Sequence, residues 1–211
     1  MASSKLPKIV LFSSVALSLL LTACGGGMGT NASLPATNPA RTTQSATHNN
    51  DLCFSGAGGS CMRISGTSVR LSIPAGTPLG AYAGVYIQNG NSVDAATVGQ
   101  VTSLSYNYGG DPLVGGSPRI NIPVDVSGSF AGYVFVGANT CNNGAGLVDV
   151  INNPTCGIEG QSGGYYYGWA SYVASNPTAT IEARSAPYVI IDEPGTYTIS
   201  NFTFRTSTPK R

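Results

Sequence analysis

Apolar and polar residues alternate with a period of two over much of the chain. Val69, Leu71 and Ile73 form one run, followed by Val85 and Ile87, by Leu104, Tyr106 and Tyr108, and by Ile120, Ile122, Val124 and Val126. Successive side chains of an extended strand point to opposite faces, so each run predicts a strand with one buried face. The series continues through Tyr133 to Val136, Leu147 to Ile151, Thr178 to Ile181 and Tyr188 to Ile191, and ends with Tyr197, Ile199, Phe202 and Phe204. Turn residues divide the runs, as at Asn89-Gly90, Gly109-Gly110-Asp111-Pro112, Gly115-Gly116-Ser117-Pro118 and Glu193-Pro194-Gly195. About nine or ten short strands without a long helical pattern predict an all-β fold, an antiparallel β-sandwich of two sheets.

One segment breaks the alternation. Trp169, Tyr172 and Val173 stand at i, i+3 and i+4, and Asn176-Pro177 ends whatever they begin. Gly168 to Ser175 therefore reads as one short helix or a wide loop capping an end of the sandwich. No internal repeat is visible, which argues against a propeller or solenoid.

The amino terminus follows other rules. Lys5 and Lys8 precede an apolar stretch from Ile9 to Leu21, and Ala23-Cys24 supplies a small-residue junction. A spanning helix needs about 20 apolar residues, so the stretch is too short for a stable anchor. Leu21-Thr22-Ala23-Cys24 resembles the lipobox of bacterial lipoproteins, which implies cleavage before Cys24 and lipidation of its thiol. Two or more acyl chains, at about 0.8 kcal/mol per buried methylene, hold a protein on a membrane permanently. An ordinary secretory signal with Cys24 left as an odd thiol is the alternative. Residues 25–50, rich in Gly, Ser, Thr, Asn, Ala and Pro, read as a flexible tether reaching roughly 25–30 Å from the lipid. Expected boundaries are thus 1–23 for the signal peptide, 24–50 for lipidated Cys24 and tether, and 51–211 for the sandwich. Gly25 stands where an aspartate would favour inner-membrane retention, so the expected address is the bacterial cell envelope, on the outer membrane.

Composition narrows the function. Charged residues are 9% of the chain, and once Lys5 and Lys8 leave with the signal, eight of the ten basic residues face nine acids. No basic patch for nucleic acid or anionic lipid results. Beyond Cys24, the cysteines Cys53, Cys61, Cys141 and Cys156 allow three disulfide pairings in an oxidising compartment. Cys53–Cys61 and Cys141–Cys156 are the expected ones, each closing a loop rich in glycine and asparagine. Zinc is the competing reading, but neither spacing is CxxC and the one histidine, His48, lies in the tether. No metal or cofactor is expected.

Asp192 to Phe202 resembles the closing strands of secreted jelly-roll modules, some of which bind carbohydrate. Gly116-Ser117-Pro118-Arg119, Ile122-Pro123-Val124-Asp125, Trp169-Ala170 and Asn176-Pro177 are similar to a recurrent secreted bacterial module of no established activity. In such sequences the equivalent of Asp125 opens an acidic calcium turn. Here Asp125-Val126-Ser127-Gly128-Ser129 lacks most of the ligating oxygens.

Candidate chemistry is sparse. Gly160-Gln161-Ser162-Gly163-Gly164 matches G-x-S-x-G, but no histidine follows Ser162 and the motif requires a strand before it and a helix after it. A glycosidase needs only two carboxylates, and Asp94, Asp111, Asp125, Asp149, Glu159, Glu182, Asp192 and Glu193 are the candidates. Asp111 and the Asp192-Glu193 pair precede prolines, a context in which carboxylates bond their own backbone. Arg119, Arg184 and Arg205 near strand ends are read as guanidiniums paired with backbone carbonyls or with an acid such as Asp125, with binding of an acidic ligand as the alternative. Tyr165, Tyr166, Tyr167, Trp169 and Tyr172 form the densest aromatic cluster and are the candidate ligand-binding residues, because sugar rings present apolar faces to aromatic planes. The opposing reading packs alternate members into the core, with Trp169 pinning the helix. The expectation is a non-catalytic binding or structural sandwich, held to the membrane by its N-terminal lipid, with a glycan or an envelope protein as partner. A carbohydrate-active enzyme using paired Asp or Glu is the alternative.

Overall fold

The computed structural model describes residues 52–87, 96–142, 146–182 and 185–207. Cys24, the signal, the tether, the Asn89-Gly90 turn, Asp94 and Arg184 lie outside them. The described residues form two antiparallel sheets and one short α-helix. In order, the strands are β1 (Cys53–Gly56), β2 (Ser60–Ser65), β3 (Ser68–Ile73), β4 (Tyr82–Tyr86), β5 (Val101–Gly110), β6 (Arg119–Val126) and β7 (Ser129–Gly137). There follow β8 (Leu147–Asp149), β9 (Gly157–Glu159), β10 (Tyr165–Tyr167), the helix α1 (Trp169–Ser175), β11 (Thr180–Ile181), β12 (Tyr188–Ile191) and β13 (Gly195–Thr206).

The larger sheet has the order β1-β4-β12-β6-β7-β9-β10, with β11 also paired to β6. The smaller has the order β2-β3-β13-β5-β8. Inward positions from both form one core: Leu71 and Ile73 of β3, Leu104 and Tyr106 of β5, Tyr197 and Ile199 of β13 meet Ile120, Ile122 and Val124 of β6 and Val134 and Val136 of β7. Each such aliphatic side chain contributes roughly 1.5–3 kcal/mol when fully buried. The alternation predicted these faces because a half-buried strand exposes every second residue.

Two departures from strict alternation are bulges. In β13, Ile199 is buried and so is Phe204, a change of parity made by a register shift between Ser200 and Thr203 with Asn201 at φ 52°. In β7, Ala131 is the extra residue where Val124 pairs with Gly132 and Asp125 with Phe130. The turn Val126 to Ser129 has Ser127 and Gly128 both at positive φ, the signature of a two-residue type I′ hairpin.

Both expected disulfides are present. Cys53–Cys61 joins β1 of one sheet to β2 of the other, and Cys141–Cys156 closes the excursion that carries β8. No helix among the described residues is long and apolar enough to cross a membrane.

Candidate functional site

The structure divides the aromatic cluster by strand parity and helix position. Trp169 is 5% exposed and donates its indole N–H to the Val98 carbonyl at 3.1 Å, which pins α1 to the Val98–Gln100 turn. Tyr172 is fully buried, and its hydroxyl donates to Gln161 Oε1 at 2.9 Å; Gln161 Nε2 donates to Asn176 Oδ1, and Asn176 Nδ2 returns to the Tyr172 carbonyl. Tyr166 packs half-buried against Tyr172. Trp169 and Tyr172 serve the core, with their rings covered and their indole and hydroxyl donors taken, and Tyr166 adds a partly buried ring beside them. Tyr165 and Tyr167 point the other way, 54% and 69% exposed, with ring centroids 5.4 Å apart at 77°.

Those two belong to a larger surface. On the outer face of the larger sheet the register aligns one transverse row: Tyr86 of β4, Tyr188 of β12, Asn121 of β6, Phe135 of β7, Glu159 of β9 and Tyr165 of β10. At about 4.8 Å per strand, the row runs roughly 24 Å across the sheet. Phe54 flanks it, 4.7 Å from Tyr86 and 5.4 Å from Tyr188, and Tyr133 lies 5.8 Å from Tyr188 and 5.3 Å from Phe130. Edge-to-face and tilted pairs at these distances add about 0.5–1.5 kcal/mol each to area burial. The outer face of the smaller sheet is quite different, with Ser72, Thr196, Thr198, Ser200 and Asn107 at its outward positions, two of them joined by the Ser72–Thr196 hydrogen bond at 2.9 Å.

Glycines fit the rings to the sheet. A Cβ at Gly84 would stand 2.3 Å from Phe54 Cζ, and one at Gly157 would stand 2.0 Å from the Tyr165 hydroxyl. Both rings therefore lean over a neighbouring glycine, which covers bare backbone with an aromatic plane.

Polar groups within the face are satisfied or charged. Asn121, fully buried, accepts from Arg119 Nε at 3.2 Å and donates to the Tyr188 hydroxyl at 3.0 Å. Burial pushes the phenols of Tyr86, Tyr133 and Tyr188 above their ordinary range, so all three are protonated donors at neutral pH. Glu182 is 5% exposed beside Tyr133, and its backbone N–H donates to the Pro123 carbonyl. Asp125 stands diagonally from it across the β6–β11 pairing, with Oδ1 buried and lacking a hydrogen-bond partner among the described residues. Glu159 lies between Phe135 and Tyr165.

Arg119 pairs with Asp192 rather than with Asp125. Its Nη1 donates to Asp192 Oδ1 at 2.6 Å, Nη2 bonds Oδ2, and the guanidinium carbon lies 5.6 Å from the Phe135 ring centre. Ser117 Oγ accepts from the Asp192 backbone N–H at 3.1 Å and bonds Glu193 Oε2. Burial, reinforced by the Asp192 charge, raises the Glu193 carboxyl above its usual range against the lowering effects of Ser117 and Arg119. Two carboxylates sharing one hydroxyl leave no room for a glycosidic bond between them, for which about 5–10 Å is needed. The arrangement is a clasp between the β12–β13 turn and the start of β6.

Of the remaining candidates, Asp111 ties the end of β5 to β13 and Asp149 closes its own turn. Asp111 Oδ2 accepts the Thr196 N–H at 2.8 Å, and Asp149 accepts from the Asn152 backbone and amide at 3.1 and 2.8 Å. Gly160-Gln161-Ser162-Gly163-Gly164 is the hairpin loop from β9 to β10, closed by Gly160 N–H to the Gly164 carbonyl at 2.7 Å, with Ser162 exposed. It lacks the strand-to-helix turn of a nucleophile elbow. Among the described residues no group of His, Cys, Asp and Glu is arranged to hold a metal ion.

The aromatic face carried a sequence signal of its own. Tyr133-Val134-Phe135-Val136 and Tyr188 to Ile191 are apolar at every position, and a strand of that kind has apolar side chains on both faces. The fold and the site together define an antiparallel β-sandwich with one aromatic outer face. Compared with protein-family models, with curated proteins and with solved structures, the chain matches none.

Proposed function

We propose that this chain is a lipid-anchored protein of the bacterial envelope whose sandwich binds a glycan on the outer face of its larger sheet, without catalysis. The supporting observation is the row Tyr86–Tyr188–Asn121–Phe135–Glu159–Tyr165 across six strands, in which the Glu159 carboxylate stands between the aromatic residues Phe135 and Tyr165 and the buried Asn121 holds Tyr188. Pyranose rings offer an apolar face bordered by hydroxyls. Rings that already rest on one another and on glycines lose little side-chain entropy on binding. A lipid at Cys24 and a tether over residues 25–50 would hold this face free of the membrane.

The experiment is a glycan array, with an envelope pull-down in parallel, using the domain from Asn50 onward. Retention of an oligosaccharide by wild type, reduced at least tenfold by Tyr86→Ala with Tyr165→Ala, is the expected result. Silence on every glycan with one enriched envelope protein would contradict it and favour a protein-binding domain.

One geometric observation favours a second reading, a carbohydrate-active enzyme. Asp125 and Glu182 share the aromatic face as diagonal neighbours, and Asp125 Oδ1 lacks a hydrogen-bond partner among the described residues. Release of reducing sugar from the retained glycan, abolished by Asp125→Asn and by Glu182→Gln, would establish that reading.

A further inference from the structure

We infer that the ligand of the aromatic face carries a positive charge, as an amine-bearing oligosaccharide does, and that Glu159 receives the ammonium. The inference rests on the glycan reading and adds to it the substrate class and the recognising residue. Its basis is the way charge is divided between the two sheets. Arg63 of β2, Arg70 of β3 and Arg205 of β13 all stand on the smaller sheet. The larger sheet, among the described residues, holds one guanidinium, Arg119, and that is consumed by Asp192 and Asn121 and stacked on Phe135. The same face carries the carboxylates of Asp125, Glu159 and Glu182. A polyanionic glycan would be repelled by them, and a neutral one would leave the Glu159 carboxylate without an opposite charge.

Glu159 is the member placed to act. Its register partners are Phe135 on one side and Tyr165 on the other, so the carboxylate sits between two aromatic side chains, with Tyr167 edge-on to Tyr165. Unlike Asp192 and Glu193 it has no side-chain hydrogen bond or ion pair among the described residues, and unlike Glu182 it retains solvent access. A carboxylate flanked by π-faces attracts an ammonium twice, by ion pairing and by cation–π contact. Arg119 over Phe135 already makes the second kind of contact on one of the two flanking rings.

The test is titration calorimetry of the domain from Asn50 with four probes at about pH 6, below the pKa of a simple α-amine. The probes are glucosamine oligomers, their N-acetylated counterparts, uronic acid oligomers and oligolysine. Glucosamine oligomers should bind about tenfold tighter than the acetylated series, the scale of one charge-assisted hydrogen bond. Glu159→Gln should bring the glucosamine and acetylated series to equal affinity, and an unchanged thermal unfolding midpoint would show that the variant is folded. Added salt should narrow the gap as screening weakens the ion pair. Equal affinity for amine and acetylated oligomers would overturn the charge assignment and leave the glycan reading standing, as would tighter binding of the uronic acid series. No binding to any oligosaccharide would overturn both. Tighter binding of oligolysine than of any sugar would replace the glycan with a basic peptide.

Discussion

A methyl group at Gly157 would stand 2.0 Å from the Tyr165 hydroxyl, and one at Gly84 2.3 Å from Phe54 Cζ, so alanine at either position must move the ring. Neither glycine has a positive φ. Gly157→Ala and Gly84→Ala should therefore weaken glycan retention several-fold while each costs no more than about 1–3 kcal/mol in denaturant unfolding, the usual range for overpacking. Unchanged retention in both would mean that the ring positions do not matter to binding. Glu193 makes a separate prediction at the clasp. Its folded carboxyl is raised above 4.5 chiefly by burial, so the folded state holds the proton more tightly than the unfolded chain does. That contribution is complete below about pH 4.5 and is lost as pH rises through the folded value. Glu193→Gln keeps the uncharged form at every pH, and should flatten the fall in Tm between about pH 4.5 and 7. A variant with the full wild-type slope would assign the dependence to other groups.

Among the elements, those with clean alternation were legible from sequence, and β3, β5, β6 and β12 sit where the apolar runs fall. The short strands β1, β2, β9 and β10 were not. They are three to six residues long, Cys, Ser or Gly interrupts β1, β2 and β9, and β10 is three tyrosines, so periodicity has too few repeats to register. The helix was legible through Trp169, Tyr172 and the Asn176-Pro177 stop, and it runs over Trp169–Ser175 with Asn176 as its C-cap. Which aromatic residues line the surface could not be read, because that depends on register: Phe135, Glu159 and Tyr165 become neighbours only when β7, β9 and β10 pair. The same pairing separates the roles of adjacent aromatics. Trp169→Phe would leave the Val98 carbonyl without its indole donor and should cost about 1–3 kcal/mol of stability. Glycan retention by the folded variant should be unchanged, and a selective loss of retention would return Trp169 to the binding surface.

At the scale of the whole molecule, two disulfides tie the sandwich together at β1–β2 and around β8, a pattern that belongs to an oxidising compartment. The proposed lipid at Cys24 would give the domain its address, and it makes one prediction in cells: Cys24→Ala should abolish labelling by a fatty-acid probe and accumulate uncleaved precursor. Normal processing of that variant would contradict the lipobox reading. The two outer faces differ in lining, one carrying Ser, Thr and Arg70 and the other aromatic rings with carboxylates. The most direct test of that division is NMR chemical-shift mapping of the isotopically labelled domain with the oligosaccharide it retains. The account predicts shifts in the signals of Phe54, Tyr86, Tyr133, Phe135 and Tyr165, with Thr196, Thr198 and Ser200 unmoved. Shifts centred on the smaller sheet, with the aromatic signals in place, would contradict it.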